Sequence, residues 1–313
     1  MELSNGNYIN IENSYINLPF VNASSSGYDI YIDSSKNDSL SNLVLNGANS
    51  IFINNGNTIT ISEVSLTYSY SGINLANSLS AIIYLVKSIV NGNTTKGSIY
   101  AYPNITNLKI FETLSIGGLY GILSGAYNSL IYNNTIENSH YGIIAGLGKN
   151  ITIFMNYVKN NTIGILSGYS TNLSIFSDEI IGNKNGIELT KISHAFIYLN
   201  YFNNSKNVNI SNSNVTYNTK TKVNYEFNGN NFTNYLGNYW YGYKGSEIDS
   251  EGIGSKPYNT TYGLDNYPLT SIPSPSIRHF NNSSYPTTDY SNDKHSNKFN
   301  DFFNNFFDKH SNK

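Results

Sequence analysis

The stretches "KNITIFMNYVKNNTIGILSG" (149–168) and "TNLSIFSDEIIGNKNGIELT" (171–190) share a rhythm while sharing few residues. Each opens on alternating apolar residues, passes through a polar Asn/Gly patch, and resumes at Gly-Ile. Aligning the Gly of that pair along the chain gives Gly72, Gly121, Gly142, Gly164 and Gly186, with Gly97 and Asn207 filling equivalent places. The spacings are 25, 24, 21, 22, 22 and 21 residues. A period in the low twenties marks a solenoid whose turns stack on one another.

Columns appear once the markers are aligned. One residue after the marker stand Ile122, Ile143, Ile165, Ile187 and Val208. Eleven before it stand Ile110, Ile131, Ile153, Ile175 and Phe196, and ten before it Phe111, Tyr132, Phe154, Phe176 and Ile197. Four before it stand Gly117, Asn138, Asn160, Gly182 and Asn203. Apolar columns are what strands stacked ~4.8 Å apart require, because like side chains then pack over like. The Asn/Gly column falls where the chain must turn, since Asn tolerates the left-handed conformation and its amide can bond to the Asn above and below. Leucine-rich repeats share the period but need regularly spaced leucines, and helical repeats need 3.6-residue periodicity; both patterns are missing.

The expected fold is therefore all-β, a right-handed parallel β-helix with coils of about 21–25 residues. The Gly-Ile and Asn-rich turns, over roughly residues 40–216, resemble the repeat family of carbohydrate-binding proteins and sugar hydrolases that includes NosD, the nitrous-oxide-reductase maturation protein. Residues 1–40 read as first coils or a cap, 41–216 as coils and 217–270 as a C-terminal capping segment. A Pro/Ser/Asn-rich linker over 271–298 and a Phe-rich tail over 299–313 complete the chain.

Composition narrows the function. The chain of 313 residues carries a net charge of −2, one Arg (Arg278), 28 Tyr and no Cys. Phosphate binding needs clustered cations, so nucleic acid is not an expected partner. Disulfides, thiolate metal sites and cysteine nucleophiles are excluded. No apolar run reaches the ~18 residues of a spanning helix, and the first residues lack the basic and apolar regions of a signal peptide. Asn, Ser, Thr and Tyr keep their polarity in acid, so the surface suits an acidic exterior. About fifteen Asn-x-Ser/Thr sequons permit glycosylation.

The segment "NYLGNYWYGYKGSEIDSEGIGSKPYNTTYGLDNYPL" (234–269) resembles one that closes archaeal surface β-helix proteins of the NosD-like group, with the form G-N-Y-W-x-x-Y-x-G … D-G-I-G-D-x-P-Y … D-x-Y-P-L. Gly237, Asn238, Tyr239, Trp240, Tyr243, Gly245, Asp249, Gly252, Ile253, Gly254, Pro257, Tyr258, Asp265, Tyr267, Pro268 and Leu269 match it. Within it Glu247, Asp249 and Glu251 alternate before a Gly, as oxygens converging on calcium do, and Asp265 is a further candidate ligand. Two of the family's Asp are Glu here, Ser255 replaces another, and no bidentate Glu follows. The other reading is an aromatic end cap with a solvated acidic turn.

Asp178 and Glu179 are the adjacent acidic pair in the coils and the catalytic candidates for a polysaccharide lyase or glycoside hydrolase. Neighbours on a strand point to opposite faces, and the expected stacking partners of Asp178, Asn156 and Leu199, supply no second carboxylate. Glu137 and Lys159 should pair one coil apart. The NosD resemblance implies copper, which needs His, Cys or Met; His140 and His194 fall in different columns, Met155 is the one internal Met, and His279, His295 and His310 lie in the tail. Phe111, Tyr132, Phe154 and Phe176 form either a stack that braces the coils or a platform for sugar rings. Phe299, Phe302, Phe303, Phe306 and Phe307 fall on one helical face. That stripe would dock onto the coil's own end, another subunit, a surface-layer protein or a membrane interface. The resulting expectation is a non-enzymatic extracellular or cell-surface β-helix with a structural, adhesive or glycan-contact role. A polysaccharide-active enzyme, a copper accessory protein and a virion attachment protein are the alternatives.

Overall fold

The computed structural model describes residues 1–4, 6, 8–17, 27–90, 97–102 and 105–272. Among these the chain is all strand and turn, with no helix, and winds as a parallel β-solenoid of about eight turns. In the regular coils each turn holds three strands. Lys149–Phe154, Tyr157–Lys159 and Ile163–Gly168 lie directly beneath Thr171–Phe176, Glu179–Ile181 and Asn185–Thr190, each pair parallel. In the earlier coils the strands run on as the long segments Lys36–Asn54 and Asn57–Ala76. They bend at residues with positive φ such as Asn42 and Glu63.

Alternation puts the apolar columns inside. Ile110, Ile131, Ile153, Ile175 and Ile197 pair in register and have no exposed surface. Ile122, Ile143, Ile165 and Ile187 do the same on a second wall. The turn column adopts left-handed φ at Gly117, Asn138, Asn160 and Gly182, where Asn and Gly are least strained.

The marker glycines are demanded by close approach. A Cβ on Gly142, Gly164 or Gly186 would stand 2.5–2.6 Å from the carbonyl oxygen of Gly164, Gly186 or Asn207 in the next coil. Earlier in the chain Ser98, not Gly97, occupies this column, because Ile73 pairs with Ile99. The last coil also differs from the sequence alignment. Ile175 pairs with Ile197 and Phe176 with Tyr198, so Phe196 is one place out of the Ile column. The cause is a residue dropped at the Asn203–Lys206 turn, where the spacing falls from 22 to 21: Ile181 pairs with Asn203, but Asn185 pairs with Lys206.

Two polar ladders run inside the later coils, beside the Ile columns. In the first, Asn134, Asn156, Asp178, Asn200 and Asn238 succeed one another, all buried. Asn156 Oδ1 accepts from Asn134 N (3.1 Å) and Nδ2 (2.9 Å), and Asn200 Oδ1 accepts from Asp178 N (2.9 Å). Each amide also reaches across to a strand carbonyl: Asn134 to Ile110, Asn156 to Ile131, Asn200 to Ile175. The second ladder, Asn161, Asn183 and Asn204, repeats the arrangement. Such bonds satisfy the corner N–H groups that strand pairing leaves over. The Asn–Asn bonding expected of the turn column therefore lies just past it, on residues whose side chains point inward. An outer ladder of the same kind links Asn172, Asn150 and Asn128.

At the C-terminal end Phe202 pairs with Trp240. The indole is fully buried and lies flat between the rings of Phe202 and Tyr258, at 4.5 Å from each. Three short antiparallel pairs finish the described chain: Val223–Phe227 with Asn230–Asn234, Glu247–Ile248 with Ile253–Gly254, and Tyr258–Asn259 with Leu264–Asp265. The segment thus covers a coil end that would otherwise present unpaired strand edges.

Candidate functional site

Asp178 is a rung of the first interior ladder. Its carboxylate Oδ1 accepts from Asn156 N (2.7 Å) and Nδ2 (2.9 Å), its neighbour in the next coil is Asn200 rather than Leu199, and it is 1% exposed. Glu179 starts the strand Glu179–Ile181 and stacks between Tyr157 and Tyr201 on the outer surface. The two carboxylates do not face one cleft. Asp178→Asn reproduces what the neighbouring rungs already are. The melting temperature of that variant should stay within about 2 °C of the parent in a thermal melt.

The rings of Phe111, Tyr132, Phe154 and Phe176 extend, with Tyr84 and Tyr198, into a stack of six. Successive centroids lie 4.9–5.2 Å apart and planes are within 14°. Each inner ring has both faces covered by another ring, so the column offers edges to solvent. Glu137 and Lys159 form the expected ion pair at 2.8 Å, part exposed.

The four carboxylates of the closing segment are spent separately. Glu247 Oε1 accepts from Gly252 N (2.8 Å), Glu251 Oε2 from Asn234 Nδ2 (2.9 Å), and Asp249 sits exposed with φ of 47°. Asp265 lies in the interior beneath Trp240. Its Oδ2 accepts from Asn238 N (2.8 Å), Trp240 Nε1 (2.9 Å) and Asn238 Nδ2 (3.3 Å), and its Oδ1 from Tyr267 N (3.0 Å). It is the terminal rung of the first ladder. Among the described residues no three His, Asp or Glu side chains converge as metal ligands would. His140 and His194 are exposed, and His140 packs edge-on against Tyr141. The tail histidines and Phe299, Phe302, Phe303, Phe306 and Phe307 lie outside the described residues.

The surface feature that sequence reading missed is a strip of tyrosines on one outer wall. In register, Tyr31, Phe52, Asn74, Tyr100, Leu123, Ile144 and Leu166 form one outward column. Tyr120, Tyr141 and Ile163 form another beside it. These side chains are half-buried except Asn74, which is 1% exposed. Tyr28 joins them, 5.0 Å from the Phe52 ring, and Tyr102 packs edge-on against Tyr100 at 4.2 Å. The phenols of Tyr28, Tyr102 and Tyr120 are pushed above their ordinary range, by burial first and then by neighbouring phenols, so they stay protonated donors. The strip ends in a polar patch where Glu188 Oε1 accepts from Asn185 and Asn209, and Lys206 donates to Asn209 and the Tyr262 hydroxyl. The sequence signal was present in the positions one before and two after the marker, which hold Tyr120, Tyr141, Leu123 and Ile144.

Comparison with known proteins decides the family. The sequence profile described as "Periplasmic copper-binding protein (NosD)" matches residues 3–245, more than three quarters of the 313. The chain belongs to the NosD family. No curated protein matches the sequence. Among solved structures, the enzymatically active domain of tailspike protein 2 from bacteriophage CBA120 is similar, at 15% identity and a TM-score of 0.50, over 72% of this NosD-family chain and 44% of the tailspike chain. The A-module of a mannuronan C-5 epimerase from Azotobacter vinelandii is similar at 10% identity and a TM-score of 0.40, over 69% and 80% of the two chains. The likeness is one of fold, and this chain spans less than half of the tailspike domain.

Proposed function

We propose that this NosD-family β-helix is a non-enzymatic protein of the cell exterior that contacts glycans through its tyrosine strip. The observation that carries the reading is the set of half-buried rings, Tyr28, Tyr31, Phe52, Tyr100, Tyr102, Tyr120 and Tyr141, that share one outer wall with Leu123, Ile144 and Leu166. Tyr offers an apolar ring and a polar hydroxyl at small entropic cost, which suits binding to sugars with their C–H faces and hydroxyl rims. Shape supports a linear ligand. Seven coils at ~4.8 Å make the strip about 30 Å long, and three residues across a strand make it about 10 Å wide. That footprint of roughly 300 Å² is well under the ~800 Å² per partner of a stable protein interface.

The placement of Asp178 in an interior ladder supports a binding role over hydrolysis, since a general acid must reach its substrate. Copper fits the described residues poorly: there is no Cys, and among the described residues no three His, Asp or Glu side chains gather as ligands would. No described helix is long and apolar enough to cross a membrane.

A glycan array read alongside a reducing-end and unsaturated-end assay tests the proposal. Binding without release of sugar ends is expected, and Tyr100→Ala with Tyr120→Ala should weaken it at least tenfold. Release of sugar ends, or binding indifferent to both substitutions, would overturn it.

A further inference from the structure

One corner of the solenoid gathers exposed apolar side chains. Among the described coil residues, 27–90, 97–102 and 105–216, the exposed large hydrophobic side chains are Leu79, Tyr127, Leu147 and Tyr169. All four stand in the turns that leave the wall of the tyrosine strip, after Ala76, Ser124, Ala145 and Gly168. Two of them are held at a conformational cost. Leu147 and Tyr169 have φ of 59° and 56°, in the left-handed region that suits Gly and Asn and strains a bulky residue. Leu147, Tyr169, Lys191 and Asn212 form one column, the N–H of each of the first three reaching the carbonyl just before the next. Asn212, with φ of 47°, shows that the corner accepts the less strained residue. Leu85 and Leu199 are left-handed as well, but both are buried, so packing offsets the strain. Leu147 and Tyr169 are 58% and 60% exposed and gain no such packing.

We propose that this corner is a membrane-contact ridge, which rests the solenoid sidelong on an anionic lipid surface with Leu79, Tyr127, Leu147 and Tyr169 entering the headgroup layer. Charge complementarity names the partner. Lys149 and Lys191 stand on the ridge, both exposed, and neither pairs with a carboxylate among the described residues. The turns 77–80, 125–128, 146–150, 168–172 and 190–194 contain no Asp or Glu, although acidic residues outnumber Lys and Arg in the whole chain by 20 to 18. Lys191 Nζ lies 4.8 Å from the centre of the Tyr169 ring and donates to its hydroxyl (3.3 Å), so cation and ring present one head to a lipid phosphate. Shape points the same way. The apolar side chains project singly from a convex edge, about 24 Å long for about five coil steps of ~4.8 Å. Such an edge suits a fluid layer into which side chains sink, where Leu buries apolar area and Tyr spans the apolar and wet zones. Backbone strain kept at exposed positions marks a constraint of function rather than of packing.

Vesicle flotation tests the ridge, using pure phosphatidylcholine and phosphatidylcholine with about 30% phosphatidylglycerol, at about 50 and 500 mM salt. Binding at least tenfold tighter to the anionic vesicles is expected, weakened at least threefold by the higher salt. Leu147→Asn with Tyr169→Asn should weaken it at least tenfold while the melting temperature holds or rises, because Asn suits the left-handed corner. A loss of folding cannot mimic that pair of results. Lys149→Gln with Lys191→Gln should remove the preference for anionic vesicles. Absence of vesicle binding, equal binding to both lipids, or a Leu147/Tyr169 variant that binds as the parent does would overturn the proposal. So would binding of soluble dextran sulfate in place of vesicles, lost with the lysine pair and kept in the Leu147/Tyr169 variant, which would make the ridge a polyanion site. The glycan-contact reading is not at stake, since the tyrosine strip lies on the neighbouring wall and its array is read separately.

Discussion

Asp265→Ala should lower the unfolding free energy by about 4 kcal/mol, because it leaves several buried N–H donors unmatched at roughly 1–3 kcal/mol each. The donors are Asn238 N, Trp240 Nε1 and Tyr267 N, all held by one carboxylate. The damage should spread from there. Trp240 fills the coil end between Phe202 and Tyr258, and its indole N–H has no other acceptor among the described residues. A melting temperature lower by about 10 °C is expected, with hydrogen-exchange protection falling first at the last coil. Unchanged protection at residues 199–204 would show that Asp265 does not hold the cap.

The same carboxyl gives stability a pH slope. Burial raises Asp265 to about 6 from 3.8, against the pull of its N–H donors, which favour the charged form. Between those values the folded chain binds the proton more tightly than the unfolded one. The stabilisation is therefore complete below about 4 and is lost as pH rises through 6, a change of about 3 kcal/mol. Asp29, held up to about 7 by burial, adds to the slope in the same direction. The protein should resist denaturant better at pH 5 than at pH 8, and Asp265→Asn should flatten the difference. A parent that is more stable at pH 8 would contradict this account.

Asn156→Leu is the second large effect, expected at about 4 kcal/mol in chemical denaturation although leucine is close in volume. The amide of Asn156 donates to Ile131 O, Phe154 O and Asp178 Oδ1 and accepts from both nitrogens of Asn134. Leucine would leave those groups buried and unmatched. The identical column holds Leu43, Val64 and Val86 in earlier coils without penalty, since there its neighbours are aliphatic as well. Removing both partners of a hydrogen bond costs little, and removing one costs much. A loss below about 1 kcal/mol would mean that the ladder is ornamental.

The parallel β-helix was legible because its signal is periodic: Ile at fixed distances from Gly recurs coil after coil, and a one-residue shift would have exposed every one of them. The alignment failed at the ends of the repeat, at Gly97 and Phe196, where a coil gained or dropped residues at a turn that leaves no mark of its own. The interior ladder was hidden for another reason. Asn at 133 and 134 look alike in sequence, but one is an exposed left-handed corner and the other an inward rung. Asp178 read as a catalytic candidate because acidity is visible in sequence and burial beside an amide is not. The tyrosine strip escaped because its members come from seven coils, and several are Leu or Ile.

The ladders give the molecule a unit of growth. Each rung between Asn134 and Asn200 meets the same kind of neighbour above and below, so a coil excised or duplicated between them finds matching partners on both sides. Only the terminal pieces, closed by Asp265 and Trp240 at one end, are tied to a fixed place. The reach of the outer wall can thus be altered by gene-level gain or loss of whole turns, with the closing plug carried along unchanged.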